Sequence, residues 1–257
     1  MLTPPEIARS LLAAGESKAR LPFGKMLLLA ILAGAYIALA GVGATAAAVT
    51  VESGSLAKLL SACVFPAGLS MVILAGSELF TGNCLMVMAL LERRITPAQL
   101  LRNWLTVYLG NAMGGAAVAA LAVYSHTASL FGDGLARSMV SIAESKAALG
   151  AGDAFLRGVL CNFLVCLAVW MAAASKRAEG KVIALFFPIL LFVLCGYEHC
   201  IANLYYLPAG AFAAAEYGME TTLTLAGCLK NLTAVTLGNL VGGAALGVGY
   251  RFAYLKE

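Results

Sequence analysis

Of 257 residues, 61% are hydrophobic and 12% charged, with a mean hydropathy of +0.90 and a formal net charge of +4. Soluble domains carry about twice that charged fraction, so the composition excludes an ordinary soluble enzyme or a nucleic-acid binder and specifies an all-α integral membrane protein. Long continuous apolar runs in place of alternating residues exclude a membrane β-barrel and leave room for about six helical spans of some 20 residues.

Residues 1–25 lack the continuous apolar core and cleavage site of a signal peptide. Thr3, two prolines and Glu6 read as a capped helix start with Ile7, Leu11 and Leu12 on one face, predicting a short amphipathic helix on the cytoplasmic surface. The first span is expected from about Met26 to Thr50. The apolar stretch from Leu59 to Leu91 is too long for one straight helix and is interrupted by GSELFTGN, Gly76 to Asn83, which predicts a broken second span. A third span covers about Asn103 to Tyr124. A long connection carrying Asp133, Arg137, Glu144 and Lys146 then leads to a fourth, about Ala154 to Ala174. The fifth, about Val182 to Leu207, contains CGYEHCIANLYYLPAG, and the sixth runs from about Leu232 to Tyr254. With the N-terminus cytoplasmic, 12 of the 17 basic residues, Lys256 among them, fall on the inner side, so both termini are placed in the cytoplasm of a multi-pass inner-membrane protein.

The two halves repeat. NWLTVYLGNAMGGAA (Asn103 to Ala117) matches NLTAVTLGNLVGGAA (Asn231 to Ala245), and Glu78 with Asn83 matches Glu198 with Asn203 as E-x4-N across a break. Three spans per half make the second copy inverted, with repeat 1 at about 26–124 and repeat 2 at about 154–254; broken helices meeting at mid-membrane are a transporter architecture. The GxxxG pairs Gly110/Gly114 and Gly238/Gly242 read as close helix packing. Glu198 and His199 are the leading functional candidates, because ionisable groups at membrane depth usually face a pathway or a partner. The seven cysteines lie nearly all in apolar segments without a CxxC pair and read as packing residues; no cofactor or metal is expected. A redox or metal role for Cys195, His199 and Cys200 is the alternative from another class, disfavoured because consecutive residues on a helix diverge.

GSELFTGN, LRGVLCNFLVCLAVWM, GYEHCIANLYYLPAG and NLTAVTLGNLVGG together resemble the formate/nitrite transporter family over nearly the whole chain. The resemblance implies an aquaporin-like fold of six spans, a homopentamer with one pore per protomer, and passage of small monovalent anions with or without a proton. It assigns His199 as the central pore histidine, Thr81 as the threonine facing it, Asn162 and Glu198 as polar partners, Lys146 as a vestibule lysine, and Phe65, Leu69, Leu79 and Phe192 as constrictions. NLYYLPAG and NWLTVYLGN look more like formate members, so formate comes first, nitrite second and hydrosulfide third.

A dry apolar constriction strips an anion of its hydration, and something must offset the loss. The expectation is that Lys146 concentrates anions, Thr81 and Asn162 offer hydrogen bonds, and His199 supplies a proton or a positive charge, directly or through water. Glu198 fits two roles, holding the broken helix through backbone amides or relaying a proton.

Overall fold

The computed structural model describes residues 1–255; Lys256, counted above with the cytoplasmic basic residues, lies outside the described residues. Among those described, all regular structure is helical. α1 (Pro4–Ala19) starts as its sequence predicts, the Thr3 N–H and hydroxyl donating to Glu6 Oε2 at 2.7 and 2.8 Å. Its apolar face packs Ile7 and Ala8 with Met88 and Trp170, and Ala19 with Met86 and Ala89. α2 (Phe23–Ala46) follows, then α3 (Gly54–Val64) and α4 (Pro66–Ala75). After a break at 76–79 the chain resumes as α5 (Phe80–Asn83), a 3-10 turn (Cys84–Met86) and α6 (Val87–Leu91). α7 (Pro97–Tyr124) completes the first half; the second comprises α8 (Gly134–Ala148), α9 (Ala151–Ala173) and α10 (Ala178–Leu194), then a break at 195–199, α11 (Cys200–Glu216) and α12 (Leu225–Tyr254).

Among the described residues, five stretches are long and apolar enough to cross a bilayer: Phe23–Ala46, Gly54–Ala75, Pro97–Tyr124, Ala151–Ala173 and Leu225–Tyr254. α10 and α11 have 17 residues each. At about 1.5 Å per residue, neither alone matches a hydrocarbon core of about 30 Å.

The structure departs from the sequence reading in two places. The long connection before the fourth span contains a helix, α8, whose Leu135, Ala136, Met139, Val140, Ala143 and Ala147 are buried. Their spacing of three and four is helical, but small residues among charges give it little hydropathy. Two spans also begin earlier than their apolar runs, α7 at Pro97 and α12 at Leu225, because Thr96 and Thr224 cap them by accepting the Gln99 and Gly227 N–H groups. Capping chemistry, not hydropathy, sets those starts.

α2 lies against α7 as α9 lies against α12, and glycine governs both contacts. A Cβ on Gly114 would strike the Ile31 carbonyl oxygen, and one on Gly242 the Val159 carbonyl oxygen. Backbone cannot yield as a side-chain tip can, so these positions admit only glycine at this helix spacing.

Candidate functional site

Both breaks are built alike. Gly76 (φ 77°) and Gly196 (φ 69°) take the left-handed conformation that ends a helix, and the Ser77 and Tyr197 N–H groups reach back to the Val72 and Phe192 carbonyls at 2.9 and 3.0 Å. Leu79 and His199 are then extended before the next helix starts. Exposed backbone at membrane depth needs partners; the Glu78 and Glu198 N–H groups donate to the Leu29 and Arg157 carbonyls, and one asparagine at each break takes the groups on either side. Asn111 donates to the Glu78 and Ala30 carbonyls (2.9 and 2.7 Å) and accepts the Phe80 N–H (2.9 Å). Asn239 does the same for the Glu198 and Gly158 carbonyls (2.9 and 2.8 Å) and the Cys200 N–H (2.8 Å).

The carboxylates beside the breaks anchor two matching polar clusters. Glu78 accepts from Lys18 Nζ at 2.6 Å and from Asn83 Nδ2 at 2.7 Å, and Asn83 also donates to Asn103 (2.9 Å). Glu198 takes Lys146 Nζ at 3.0 Å on both oxygens and Asn203 Nδ2 at 2.7 Å. Asn203 donates also to Asn231 (2.8 Å), which returns a bond to the Lys146 carbonyl (2.9 Å). Lys146 therefore pairs with a buried carboxylate on a distant element, not with Glu144 or Asp153 near it in sequence. The backbone of the second break is held by Asn239, while the Glu198 carboxylate binds side chains.

Between the clusters the molecule closes. His199 Nε2 lies 2.9 Å from Thr81 Oγ1, and His199 Nδ1 accepts the Ala202 N–H at 3.1 Å, capping α11. An Nδ1 that accepts leaves the proton on Nε2, so the bond pattern assigns the Nε2–H tautomer, with the imidazole donating to Thr81. His199 is not part of a helix with Glu198 and Cys200 but its cap. On the side away from the termini, a cavity of about 660 Å³ is lined by Phe65, Phe192, His199, Asn203 and Lys146, with Lys58 and Arg137 also at its wall. Phe192 stacks on the imidazole (5.8 Å) and meets Phe65 edge to face (5.6 Å). On the terminal side, a cavity of about 290 Å³ is lined by Leu69, Leu79, Lys18 and Glu78. Asn162 lines neither: its Nδ2 donates to the Asn239 carbonyl at 2.7 Å, tying α9 to α12.

A model of the family described as formate/nitrite transporter matches residues 5–253. The chain belongs to that family. A probable formate transporter of Methanothermobacter thermautotrophicus is 38% identical, covering 99% of this chain and 98% of the relative. Among solved structures, an FNT family ion channel superposes with a TM-score of 0.85 at 32% identity, covering 96% of this chain and 98% of its own. A pentameric formate channel with formate bound superposes at 0.80 and 33% identity, covering 91% and 98%. The protein is thus a multi-pass membrane transporter of the formate/nitrite family and not an enzyme.

Against this background, the sequence reading missed Lys18, Asn103, Asn111, Asn231 and Asn239. The repeat held the signal: Asn103 and Asn231 are 128 positions apart, and the same offset carries Lys18 onto Lys146 and Asn111 onto Asn239.

Proposed function

We propose that this protein passes small monovalent anions, formate first, through one pore in each protomer of a homopentamer, with the terminal side facing the cytoplasm. In this reading the chain forms six spans as two inverted three-helix repeats in an aquaporin-like arrangement, the second and fifth spans broken. Support comes from the matching clamps at Asn111 and Asn239, from basic residues concentrated on one side, and from family relatives named for formate. The observation that carries the proposal is the Thr81–His199 contact lying between two cavities, each reached by a lysine.

Chemically, the imidazole serves as a fixed donor. A neutral Nε2–H aimed at Thr81 orients the hydroxyl, which donates onward to an oxygen of the passing substrate and replaces part of its lost hydration. Protonating Nδ1 would break the Ala202 cap and set a cation at the positive end of α11. The proton that travels with the anion is therefore taken up in the distal cavity, where desolvation disfavours the charged form of a carboxylate. Asn203 supports that step. Its amide hydrogens are engaged by Glu198 and Asn231, while Oδ1 is buried without a partner, an acceptor suited to the O–H of a protonated acid.

Uptake of formate, nitrite and hydrosulfide into proteoliposomes across a pH series tests the proposal. Formate uptake should rise as pH falls. His199→Asn should fold, because asparagine is a good helix cap, yet lose most formate uptake at every pH with the Nε2–H donor gone. Formate uptake by His199→Asn equal to the parent's at every pH would remove the histidine from the mechanism.

A further inference from the structure

The terminal-side cavity contains a group that nothing above uses. Lys18, Ser77, Glu78, Asn83, Leu69 and Leu79 line it. Ser77 is only 8% exposed, and its hydroxyl is buried with no hydrogen-bond partner. A buried hydroxyl without a partner is unfavourable, and a native structure generally keeps one where something else supplies the bond.

Its neighbours narrow what that something is. Glu78 has both oxygens engaged, Oε1 by Lys18 and Oε2 by Asn83. Asn83 has both amide hydrogens engaged, by Glu78 and Asn103. Lys18 carries three N–H donors and directs its bond to Glu78, remaining 30% exposed. What stays unengaged is a hydroxyl and ammonium hydrogens, a donor pair beside an apolar wall. We infer that Ser77 and Lys18 form a holding site for a small carboxylate or other oxyanion on the terminal side of the waist. One anion oxygen takes the Ser77 O–H and the other the Lys18 ammonium. The E-x4-N repeat aligns Ser77 with Tyr197, which also lines a cavity but has no hydroxyl so close to its backbone, so the site belongs to this side alone. The inference rests on the reading of the pore as an anion pathway.

A holding site lowers the free energy of the anion in the cavity without changing the barrier at the waist. Removing it should raise half-saturation and maximal rate together and leave their ratio unchanged. The experiment is initial-rate formate flux by the full chain in right-side-out and inside-out vesicles. In Ser77→Ala, half-saturation from the terminal side should rise about tenfold, the loss of one hydrogen bond to a charged group. From the distal side it should not change, and Ser77→Thr should behave as the parent. Should Ser77→Ala fail to assemble, Ser77→Cys keeps the size, donates weakly and carries the same expectation. An unchanged half-saturation from the terminal side, or an equal change from both sides, overturns the site. Absence of formate flux in the parent protein would sink the pathway reading and the site with it, whereas normal flux with an unaffected Ser77→Ala sinks the site alone.

Discussion

Replacing Lys146 by methionine separates a charge that holds the fold from a charge that gathers substrate. Its Nζ sits 3.0 Å from Glu198, with the two side chains 15% and 8% exposed. At that distance and an effective dielectric of about 20, the gross attraction is about 5 kcal/mol. Deleting one partner of a buried pair costs about 3–5 kcal/mol, because the other charge is left buried and unpaired. Lys146→Met should therefore destabilise by that amount. Glu198→Gln should fall at the lower end, since an amide oxygen still accepts from Asn203. The double variant removes both charges and should be more stable than either single, within about 2 kcal/mol of the parent. Lys18→Met is the internal control: Glu78 is as buried as Glu198, at 7% exposed, but Lys18 is 30% exposed, so its removal opens the carboxylate to water and the loss should be about 1–2 kcal/mol. Denaturant unfolding in detergent at fixed protein concentration measures all four. Single-variant effects that add to within about 0.5 kcal/mol, or a Lys18→Met as damaging as Lys146→Met, would refute the argument. The folded double variant then isolates anion capture. If the Lys146 charge gathers anions, formate half-saturation should rise at low ionic strength and the difference should shrink as salt screens beyond about 8 Å.

Leu79→Ala or Phe192→Ala should admit acetate or lactate into proteoliposomes, since each side chain lines a cavity where the waist closes; exclusion as strict as in the parent would remove both from the constriction. Gly242→Ala places a Cβ on the Val159 carbonyl oxygen and should separate α9 from α12, giving little folded protein by size exclusion, while Gly249→Ala, with nothing near, should express normally. Glu144 accepts the Thr222 N–H (2.6 Å) and the Thr221 hydroxyl (2.9 Å), which hold its carboxyl below the usual value of 4.5, the Thr222 N–H first. A lowered folded-state pKa means the pinning of the 217–224 loop is fully present above pH 4.5 and is lost as pH falls through the lowered value. Amide exchange at Thr222 should rise on acidification and already be raised in Glu144→Gln; exchange indifferent to both would show that the carboxylate does not hold the loop.

How much was legible depended on whether a residue acts through its own neighbourhood or through a distant one. The breaks could be read because glycine, glutamate and asparagine interrupt apolar runs at Gly76–Asn83 and again around Glu198, and burial of such residues has few explanations. The start of α1 could be read because Thr3 and Glu6 cap within four residues. Lys18 could not. It looks like any lysine on a surface helix, and its partner Glu78 lies 60 positions away. The amphipathic face of α8 was hidden for another reason: half of its buried residues are alanines and charges lie between them, so the segment reads as only mildly apolar. The tautomer of His199 depends on one backbone N–H at the first turn of α11, which no side-chain pattern encodes.

Aligning the two halves separates what builds the pore from what the pore does. Glu78-Leu79-Phe80-Thr81-Gly82-Asn83 lies over Glu198-His199-Cys200-Ile201-Ala202-Asn203. The glutamates, the asparagines, the lysines and the clamping Asn111 and Asn239 recur with the same bonds, as they must if each half needs its own broken helix satisfied away from water. Between the glutamate and the asparagine all four positions differ, and two of them meet. His199 lies over Leu79 and Thr81 over Ile201, so a fully symmetric chain would place either two leucines or two imidazoles at the waist. Two leucines would come with two threonines and no imidazole to orient either hydroxyl, while two imidazoles would come with two isoleucines and each need a partner in a dry space. One histidine facing one threonine gives a single donor chain with apolar residues beside it, Leu79 on one side and Phe192 on the other. Substitutions at repeated positions should thus act first on folding, and those at Thr81 and His199 first on transport.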